Sequence, residues 1–316
     1  MLNIVFMGTP DFAKDSLEAL VEKGHNVLAV VTNPDRPKGR GMQMQVTEVK
    51  EYALLKKLNI YQPEYIKENK EFIETIKQLN PDILCVVAYG KILPKEILEI
   101  AKLGAINVHG SVLPKYRGAA PIQWAVINGE KTTGVTTIYM DVGMDTGDII
   151  LTKETEIGED ETTGELWGRL SKIGAELLIE TLEKIEKGNV SRQKQGEEYT
   201  MAPMLEKEMF KIKWDSLNTK QIKDLIRGLN PIAGAYTFLD GKKYKIWKTA
   251  IISEHLETTD NNEPGTIIFV DEKKGMHIKT KDGILSILEI QAENSKKMNI
   301  CDFLRGNKIL IGQVFK

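Results

Sequence analysis

Two polar residues, Asn107 and His109, are separated by a single residue in the apolar segment 104–109. The segment has the composition of a buried, central strand. Side chains alternate along a strand, so we expect both to point to the same face near its carboxyl end. An amide donor beside an imidazole can stabilise an oxyanion and transfer a proton. A structural histidine in the core, beside an asparagine that ties down a loop, would give the same spacing, so the spacing leaves both interpretations open.

The other histidines are weaker candidates for an acid or base. His25 lies in a turn before a strand, His255 in a charged stretch and His277 in a peripheral strand. Elimination therefore leaves His109 as the best candidate.

An acidic loop, Asp141–Asp148, follows a second apolar segment, Gly134–Tyr139. Its glycines let the backbone bend and aim a carboxylate, which beside an imidazolium would stabilise the charge and orient the ring. The aspartates could instead cap turns. Their spacing does not match an EF-hand, and no nearby His or Cys suggests zinc, so no metal site is predicted.

Two loops are basic. Asn33–Gln45 is broken by Pro and Gly and carries Arg36, Lys38 and Arg40, while Lys115–Arg117 follows the Asn107/His109 segment. Such loops can reach a polyanion, or they can be solvated surface with incidental charge.

The elements that must position these residues form two patterns. Over the first ~185 residues, apolar strands alternate with helices, which indicates an α/β domain with a doubly wound, Rossmann-like parallel sheet. The first strand-to-helix turn, Gly8–Asp11, has one glycine, so it lacks the dinucleotide fingerprint, and no Walker motif is present. The predicted strands are Ile4–Met7, Val27–Val31, Asp82–Val87, Ala105–His109 and Gly134–Tyr139, and a long helix is predicted over about 162–187.

The pattern changes after Gly188. A polar stretch reads as a linker, and a short helix, Thr219–Gly228, then precedes closely spaced strands with Asp-Gly turns, which favour a small β-barrel or sandwich. The predicted organisation is a first domain over 1–188, a linker over 189–208 and a second domain over 209–316.

Composition excludes several classes of protein. The 316 residues are 41% apolar and 28% charged, which argues against whole-chain disorder and membrane spans. Two cysteines, Cys85 and Cys301, are too few for a disulfide framework. The N-terminus runs directly into a strand pattern with no leader, so we expect a cytoplasmic protein.

The formal net charge of -2 conceals an uneven distribution. Residues 209–316 hold 18 Lys and Arg against 13 Asp and Glu, a net charge of +5, and the remaining 208 residues hold 25 against 32, a net charge of -7. The basic part suits a phosphate backbone.

Taken in order along the chain, these motifs resemble the formyltransferase family that uses 10-formyltetrahydrofolate. The hallmark segment is Asn107-x-His109-x-Ser111-x-Leu-Pro114, and Asp145 falls where the family has its catalytic acid. The resemblance covers nearly the whole chain. Further matching segments are Phe6–Phe12, Pro34–Gly41, Val87–Gly90, Arg117–Gln123 and Met140–Asp148, and in the C-terminal part Arg227–Pro231.

The resemblance implies a formyltransferase-type catalytic domain followed by an oligonucleotide-binding-type (OB-like) β-barrel that holds tRNA. It implies formyl transfer from the folate N10 to the α-amino group of methionyl initiator tRNA, with Asn107 and His109 as donors to the oxyanion and Asp145 holding His109 protonated. Folate would be a co-substrate, with no tightly bound cofactor and no metal, and we expect a monomer. The implied folate contacts are Ser111, Val112, Leu113, Pro114, Tyr89 and Leu93, and the implied tRNA contacts are Arg36, Lys38, Arg40 and Lys207.

Two positions depart from the family pattern. Val112 stands where Leu is usual, and Lys213 stands where Asp is common, which puts any role for that acid in doubt. Two alternatives remain: a formyltransferase for a small amine, such as an amino sugar nucleotide or glycinamide ribonucleotide, and a folate- or RNA-binding protein that has lost catalysis. The basic segments argue against the first and the complete Asn107/His109/Asp145 set against the second.

Overall fold

The computed structural model describes residues 1–38, 43–252 and 262–316. Contacts within the chain group these residues into two compact units, each described separately below. The predicted first domain, 1–188, includes 122–131 and 157–166, whereas the contacts group both segments with the second unit. The first unit comprises 1–121, 132–156 and 167–203, and the second comprises 122–131, 157–166 and 204–316.

The first unit is built on a seven-stranded sheet with the order β5-β2-β1-β6-β7-β8-β9, and β3 and β4 form a separate two-stranded ribbon. The central strand β6 is buried at every position, which is typical of a strand covered on both faces. The strands are β1 (Asn3–Gly8), β2 (Asn26–Val31), β3 (Arg36–Lys38), β4 (Gln43–Gln45), β5 (Ile60–Tyr61), β6 (Ile83–Val87), β7 (Ala105–His109), β8 (Thr132–Tyr139) and β9 (Ile149–Glu156).

The predicted parallel sheet is parallel in only part of its width. Strands β5, β2, β1, β6 and β7 pair in parallel, but β8 runs antiparallel to β7, and β9 runs antiparallel to β8. The chain between His109 and Thr132 therefore reverses direction, and β8 runs back along β7. This places the end of β8, Tyr139, beside Ile106, while Thr136 lies beside His109.

Two helices of the first unit begin at a residue whose side chain caps them. Thr47 accepts a hydrogen bond from the backbone N–H of Lys50, and Asn69 accepts one from Phe72, so each satisfies an N–H that the helix leaves unpaired. The long predicted helix is present within one residue of its expected bounds. The helices are α1 (Asp11–Glu22), α2 (Glu48–Leu55), α3 (Lys70–Gln78), α4 (Lys95–Leu98), α5 (Pro121–Ile127) and α6 (Thr163–Glu186).

The second unit contains an antiparallel sheet with the order β10-β11-β14-β13-β12, in which β15 also pairs with β14. Helix α7 has the predicted bounds, and a short 3-10 helix, Lys207–Phe210, precedes it. The elements are α7 (Thr219–Gly228), β10 (Ala235–Leu239), β11 (Lys242–Ile251), β12 (Ile267–Asp271), β13 (Gly275–Lys279), β14 (Ile284–Ala292), β15 (Met298–Asn299) and α8 (Ile300–Gly306).

The C-terminal residues close this sheet into a barrel. The backbone of Lys316 exchanges hydrogen bonds with Phe238 of β10, and the N–H groups of Phe315 and Ile267 bond across to the carbonyls of Gly265 and Gln313. The last residues of the chain thus bridge the two edge strands β10 and β12, which hides their unpaired backbone groups.

The turn between β10 and β11 has the conformation that its sequence predicts. Asp240 and Gly241 both have positive φ, 49° and 77°, as an Asp-Gly hairpin turn requires. Among the described residues, no helix is long and apolar enough to span a membrane.

Candidate functional site

Asn107 and His109 both lie on β7, directly beside the central strand, and His109 is its last residue. They are two residues apart, and this spacing places both side chains on one face of the sheet. Asn107 is half-buried, and the His109 side chain is only 6% exposed. The strand therefore presents the predicted pair together, with the imidazole largely shielded from solvent.

Asp145 approaches both side chains from the loop between β8 and β9. Its Oδ2 lies 3.6 Å from Nδ1 of His109, and Nδ2 of Asn107 lies 3.5 Å from its Oδ1. The backbone N–H of Gly118 also donates to Oδ2 at 2.9 Å. The three predicted catalytic side chains thus converge, and a main-chain donor fixes the carboxylate among them.

The second ring nitrogen of His109 is committed to the backbone. Nε2 lies 2.9 Å from the carbonyl oxygen of Tyr116. A carbonyl can only accept, so Nε2 must carry a proton and Nδ1 is the nitrogen that faces Asp145. The ring is therefore oriented with Nδ1 toward the Asp145 carboxylate.

The path of the acidic loop is set by the antiparallel β8. That strand ends beside Ile106, about 10 Å along β7 from His109 at the usual rise per residue. The loop therefore folds back along β7 before Asp145 reaches the histidine. Asp145 has φ of +55°, a left-handed conformation that a non-glycine residue adopts only when its surroundings enforce it.

Gln195 and Thr136 support this site, and neither was predicted from the sequence. The Gln195 side-chain amide donates to the carbonyl oxygens of Asp145 and Gly147 at 2.7 and 2.8 Å. The Thr136 hydroxyl donates to the Ser111 carbonyl and accepts from the Leu113 N–H, which fixes the turn after β7. Their signal in the sequence is weak, since a polar linker and a strand threonine are common features.

The predicted folate contacts at 111–114 are unequally exposed. Val112 and Pro114 are half-buried and present surface to solvent, whereas Leu113 packs in a small cluster with Ile138 and Ile149. Ser111 is fully buried, and its hydroxyl donates to the Lys115 carbonyl. Val112 and Pro114 thus form the outer surface of this segment, the 111–114 wall. Ser111 and Leu113 lie beneath that surface in this conformation.

The other two predicted folate contacts, Tyr89 and Leu93, lie in the apolar core on one side of the sheet, 2% and 4% exposed. Within the described residues the Tyr89 hydroxyl has no hydrogen-bond partner, and burial raises its pKa above the usual tyrosine range. The Tyr89 carbonyl accepts from Asn33. Contact between this segment and a ligand would therefore use its backbone, in this conformation.

The predicted tRNA contacts are placed as follows. Arg36 is exposed at the start of β3, and Lys207 is exposed on the 3-10 helix of the second unit. Lys38 ends β3, and Arg40 lies outside the described residues. The base of this basic ribbon is fixed by Asp35, which binds the side chains of Lys50 and Gln62.

The described part of the chain contains no group of three or more His, Cys, Asp or Glu side chains that could hold a metal ion. The site offers a half-buried amide, a shielded imidazole and an oriented carboxylate. Together they can donate hydrogen bonds to a developing oxyanion and relay protons.

Comparison with known protein families gives two matches. The formyl transferase model matches residues 2–182, and the model of the formyl transferase C-terminal domain matches residues 204–308.

Two curated relatives are similar over their full length. The methionyl-tRNA formyltransferase of Caldanaerobacter subterraneus subsp. tengcongensis is 50% identical over 316 residues and covers 100% of both chains. That of Clostridioides difficile is 48% identical over 314 residues, or 99% of each chain.

Solved structures share the fold. The N-formyltransferase from Helicobacter canadensis, in complex with folinic acid and dTDP-3-aminofucose, has a TM-score of 0.65 at 21% identity and covers 94% of this chain and 100% of its own. HypX from Aquifex aeolicus in complex with tetrahydrofolic acid has a TM-score of 0.66 at 17% identity over 100% of this chain, which spans 51% of the HypX chain. With both domain models matched and half of its residues identical to a full-length relative, this chain belongs to the formyl transferase family.

Proposed function

We propose that this chain transfers a formyl group from 10-formyltetrahydrofolate to the α-amino group of methionyl initiator tRNA, and that it acts in the cytoplasm as a monomer. The observation that carries the proposal is the convergence of Asn107, His109 and Asp145 in a chain that is 50% identical, end to end, to a protein named methionyl-tRNA formyltransferase.

The reaction exchanges one C–N bond for another. The neutral amine of the methionyl group attacks the formyl carbon, a new C–N bond forms and the carbonyl oxygen becomes an oxyanion. The bond between that carbon and the folate N10 then breaks. The amine loses one proton and N10 gains one, so the products are the formamide and tetrahydrofolate.

The three side chains have distinct roles in this scheme. Asn107 donates through Nδ2 to the oxyanion, and His109 donates through Nδ1–H, since Nε2 is held by the Tyr116 carbonyl. Asp145 keeps the ring protonated and oriented, and takes part in moving the amine proton through water. Donors fixed before reaction stabilise the oxyanion without the cost of reorganising solvent.

Folate would bind against the turn after β7. Val112 and Pro114 offer the exposed surface of the wall, with Ser111 and Leu113 behind it. Tyr89 and Leu93 would shape the pterin side from the core. No tightly bound cofactor is needed, because folate is consumed in each turnover.

The tRNA would be held by basic residues in both predicted domains. Arg36, Lys38 and Arg40 would enter the acceptor end, with Arg40 as the discriminating contact, and Lys207 would add a phosphate contact. The net charge of +5 over 209–316 supports a barrel that holds the phosphate backbone. On this scheme 1–188 is the catalytic domain, 189–208 the linker and 209–316 the tRNA-binding domain.

A formylation assay tests the proposal. Purified enzyme and 10-formyltetrahydrofolate are incubated with one acceptor in each of three reactions. The acceptors are charged initiator tRNA, charged elongator methionine tRNA and a dTDP-amino sugar. We expect formylmethionyl product from the initiator tRNA, far less from the elongator and none from the sugar. Product from the sugar alone would instead establish the small-amine alternative, and the absence of any product would contradict a formyltransferase with these acceptors.

A further inference from the structure

The side chain of Gln195 uses its full hydrogen-bonding capacity at one place. Its amide nitrogen donates to the carbonyl oxygens of Asp145 and Gly147 at 2.7 and 2.8 Å. Its amide oxygen accepts from Nε and a terminal nitrogen of Arg117, at 2.9 and 2.6 Å. Two donors face only acceptors and the oxygen faces only donors, so the orientation of this amide is unambiguous.

Arg117 is itself firmly held. It is only 8% exposed, and its guanidinium lies over the ring of Tyr199, with 4.6 Å from Cζ to the ring centroid. Its backbone N–H donates to the Thr200 carbonyl, and its own carbonyl accepts from Ala202. Gln195 therefore joins the acidic loop to a fixed point, not to a mobile surface side chain.

These contacts close a ring around the catalytic pair. Gln195 joins the Asp145 backbone to Arg117, which lies between Tyr116 and Gly118 in sequence. The Gly118 N–H holds the Asp145 carboxylate, and the Tyr116 carbonyl holds Nε2 of His109. The same short segment thus positions both partners, and Gln195 fixes its distance from the acidic loop.

The loop needs such an anchor because its backbone is constrained. Asp145 has a positive φ of 55°, and a Cβ at Gly147 would overlap the Tyr139 carbonyl oxygen. A non-glycine residue in the left-handed region is strained and persists only where surrounding contacts enforce it. The two hydrogen bonds from Gln195 are contacts of that kind, placed on the carbonyls that flank the turn.

We propose that Gln195 is a positioning residue for the Asp145–His109 pair, so that the segment predicted as a linker completes the active site. This inference rests on the proposed function for the roles of Asp145 and His109. The hydrogen bonds of the Gln195 side chain go to backbone carbonyls of the acidic loop and to Arg117, not to the side chains of Asp145 or His109. Gln195 acts by setting the angle and distance between the Asp145 carboxylate and Nδ1 of His109.

The test is the substitution Gln195→Glu, with Gln193→Glu as the matched control. The first variant keeps an oxygen for Arg117 but replaces both N–H donors with an acceptor that repels the two loop carbonyls. The control adds the same charge two residues away, on an exposed side chain. We expect kcat to fall about 10- to 100-fold in Gln195→Glu, since a misplaced catalytic group costs on this order. We expect KM for tRNA and for folate to stay within about twofold in both variants, because misplacing a catalytic group affects the chemical step and not uniform binding.

A second readout does not depend on turnover. Two-dimensional NMR of ¹⁵N-labelled protein detects the imidazole nitrogens of all four histidines, and a His109→Gln variant assigns the signals of His109. We expect Nδ1 of His109 to shift in Gln195→Glu and to stay in place in Gln193→Glu. If the Glu variant does not fold, Gln195→Met removes the same donors with similar size and no added charge.

The outcomes separate this inference from the function. If wild-type protein formylates no tRNA, the proposed function fails, while the NMR comparison still decides whether Gln195 positions the pair. If kcat and the His109 signals of folded Gln195→Glu match those of Gln193→Glu, Gln195 has no positioning role.

Discussion

The carboxylate of Asp145 faces Nδ1 of His109 at 3.6 Å, while the opposite ring nitrogen of that histidine is held by a backbone carbonyl. The hydrogen bond at Nε2 therefore sets the orientation of the ring and turns Nδ1 toward the carboxylate. Nδ1 is left as the nitrogen whose proton can serve the reaction. The charge that Asp145 supplies is the part of this arrangement most directly open to test.

Replacing Asp145 with Asn tests that charge. Asn can still accept from the Gly118 N–H, so the loop should keep its shape, but the neutral amide no longer places a negative charge beside the ring. We expect kcat to fall by about 10²- to 10⁴-fold, the usual contribution of general acid–base groups. Steady-state kinetics and a filter-binding assay measure the effect, and tRNA affinity should be nearly unchanged. Near-normal turnover of the folded variant would remove Asp145 from the mechanism.

Asn107→Ala tests the second donor. The substitution removes an N–H beside the histidine, and one lost oxyanion donor typically costs about 10²–10³ in kcat. Single-turnover measurement with saturating folate and tRNA isolates the chemical step. Val142→Ala, on the exposed tip of the acidic loop, is a control that should retain wild-type rates. A loss confined to folate affinity would assign Asn107 to binding instead.

The basic loop should act through phosphate contacts. Arg36→Ala and Arg40→Ala should each weaken tRNA binding and leave folate affinity unchanged. Each lost phosphate contact should reduce the slope of log affinity against log salt concentration by about one. Lys77→Ala, which removes an exposed cation from α3, is the control. Unchanged affinity and salt slope in both arginine variants would exclude the loop as a tRNA contact.

The stabilisation that Asp35 gives at the base of that loop should depend on pH. Hydrogen bonds, first from Lys50 and then from Gln62, lower the pKa of Asp35 below its usual value. A depressed pKa stabilises the fold above the pKa of the unfolded chain, about 3.9, and this contribution is lost as pH falls through the lower folded value. Asp35→Asn should therefore be less stable than wild type at pH 7, with the difference shrinking as the pH falls below about 4.

Urea denaturation at a series of pH values measures this difference. Glu74→Gln, which neutralises an exposed carboxylate on α3, serves as the control and should show a much smaller pH-dependent difference. A gap between Asp35→Asn and wild type that stays constant down to acid pH would contradict the role of the Asp35 charge.

Local patterns in the sequence were sufficient for several elements. Side chains alternate along a strand, so the spacing of Asn107 and His109 predicted that both lie on one face of β7. Helix α7 has the predicted bounds, Thr219–Gly228. The Asp240-Gly241 turn joins β10 to β11 as predicted. These features depend on residues close in sequence, where the spacing of side chains and the φ that a turn demands limit the chain to few conformations.

The direction of β8, the approach of Asp145 and the contacts of Gln195 were decided only by the tertiary structure. An apolar strand has the same pattern in either direction, so the sequence could not show that β8 runs antiparallel to β7. Gln195 meets Asp145 across 50 residues of sequence through hydrogen bonds to backbone carbonyls. Every residue except proline offers the same backbone groups, so the sequence at 145 and 147 carries no mark of the partner that binds there. The sequence thus predicted which side chains carry the chemistry, and the folded chain determined how they are held.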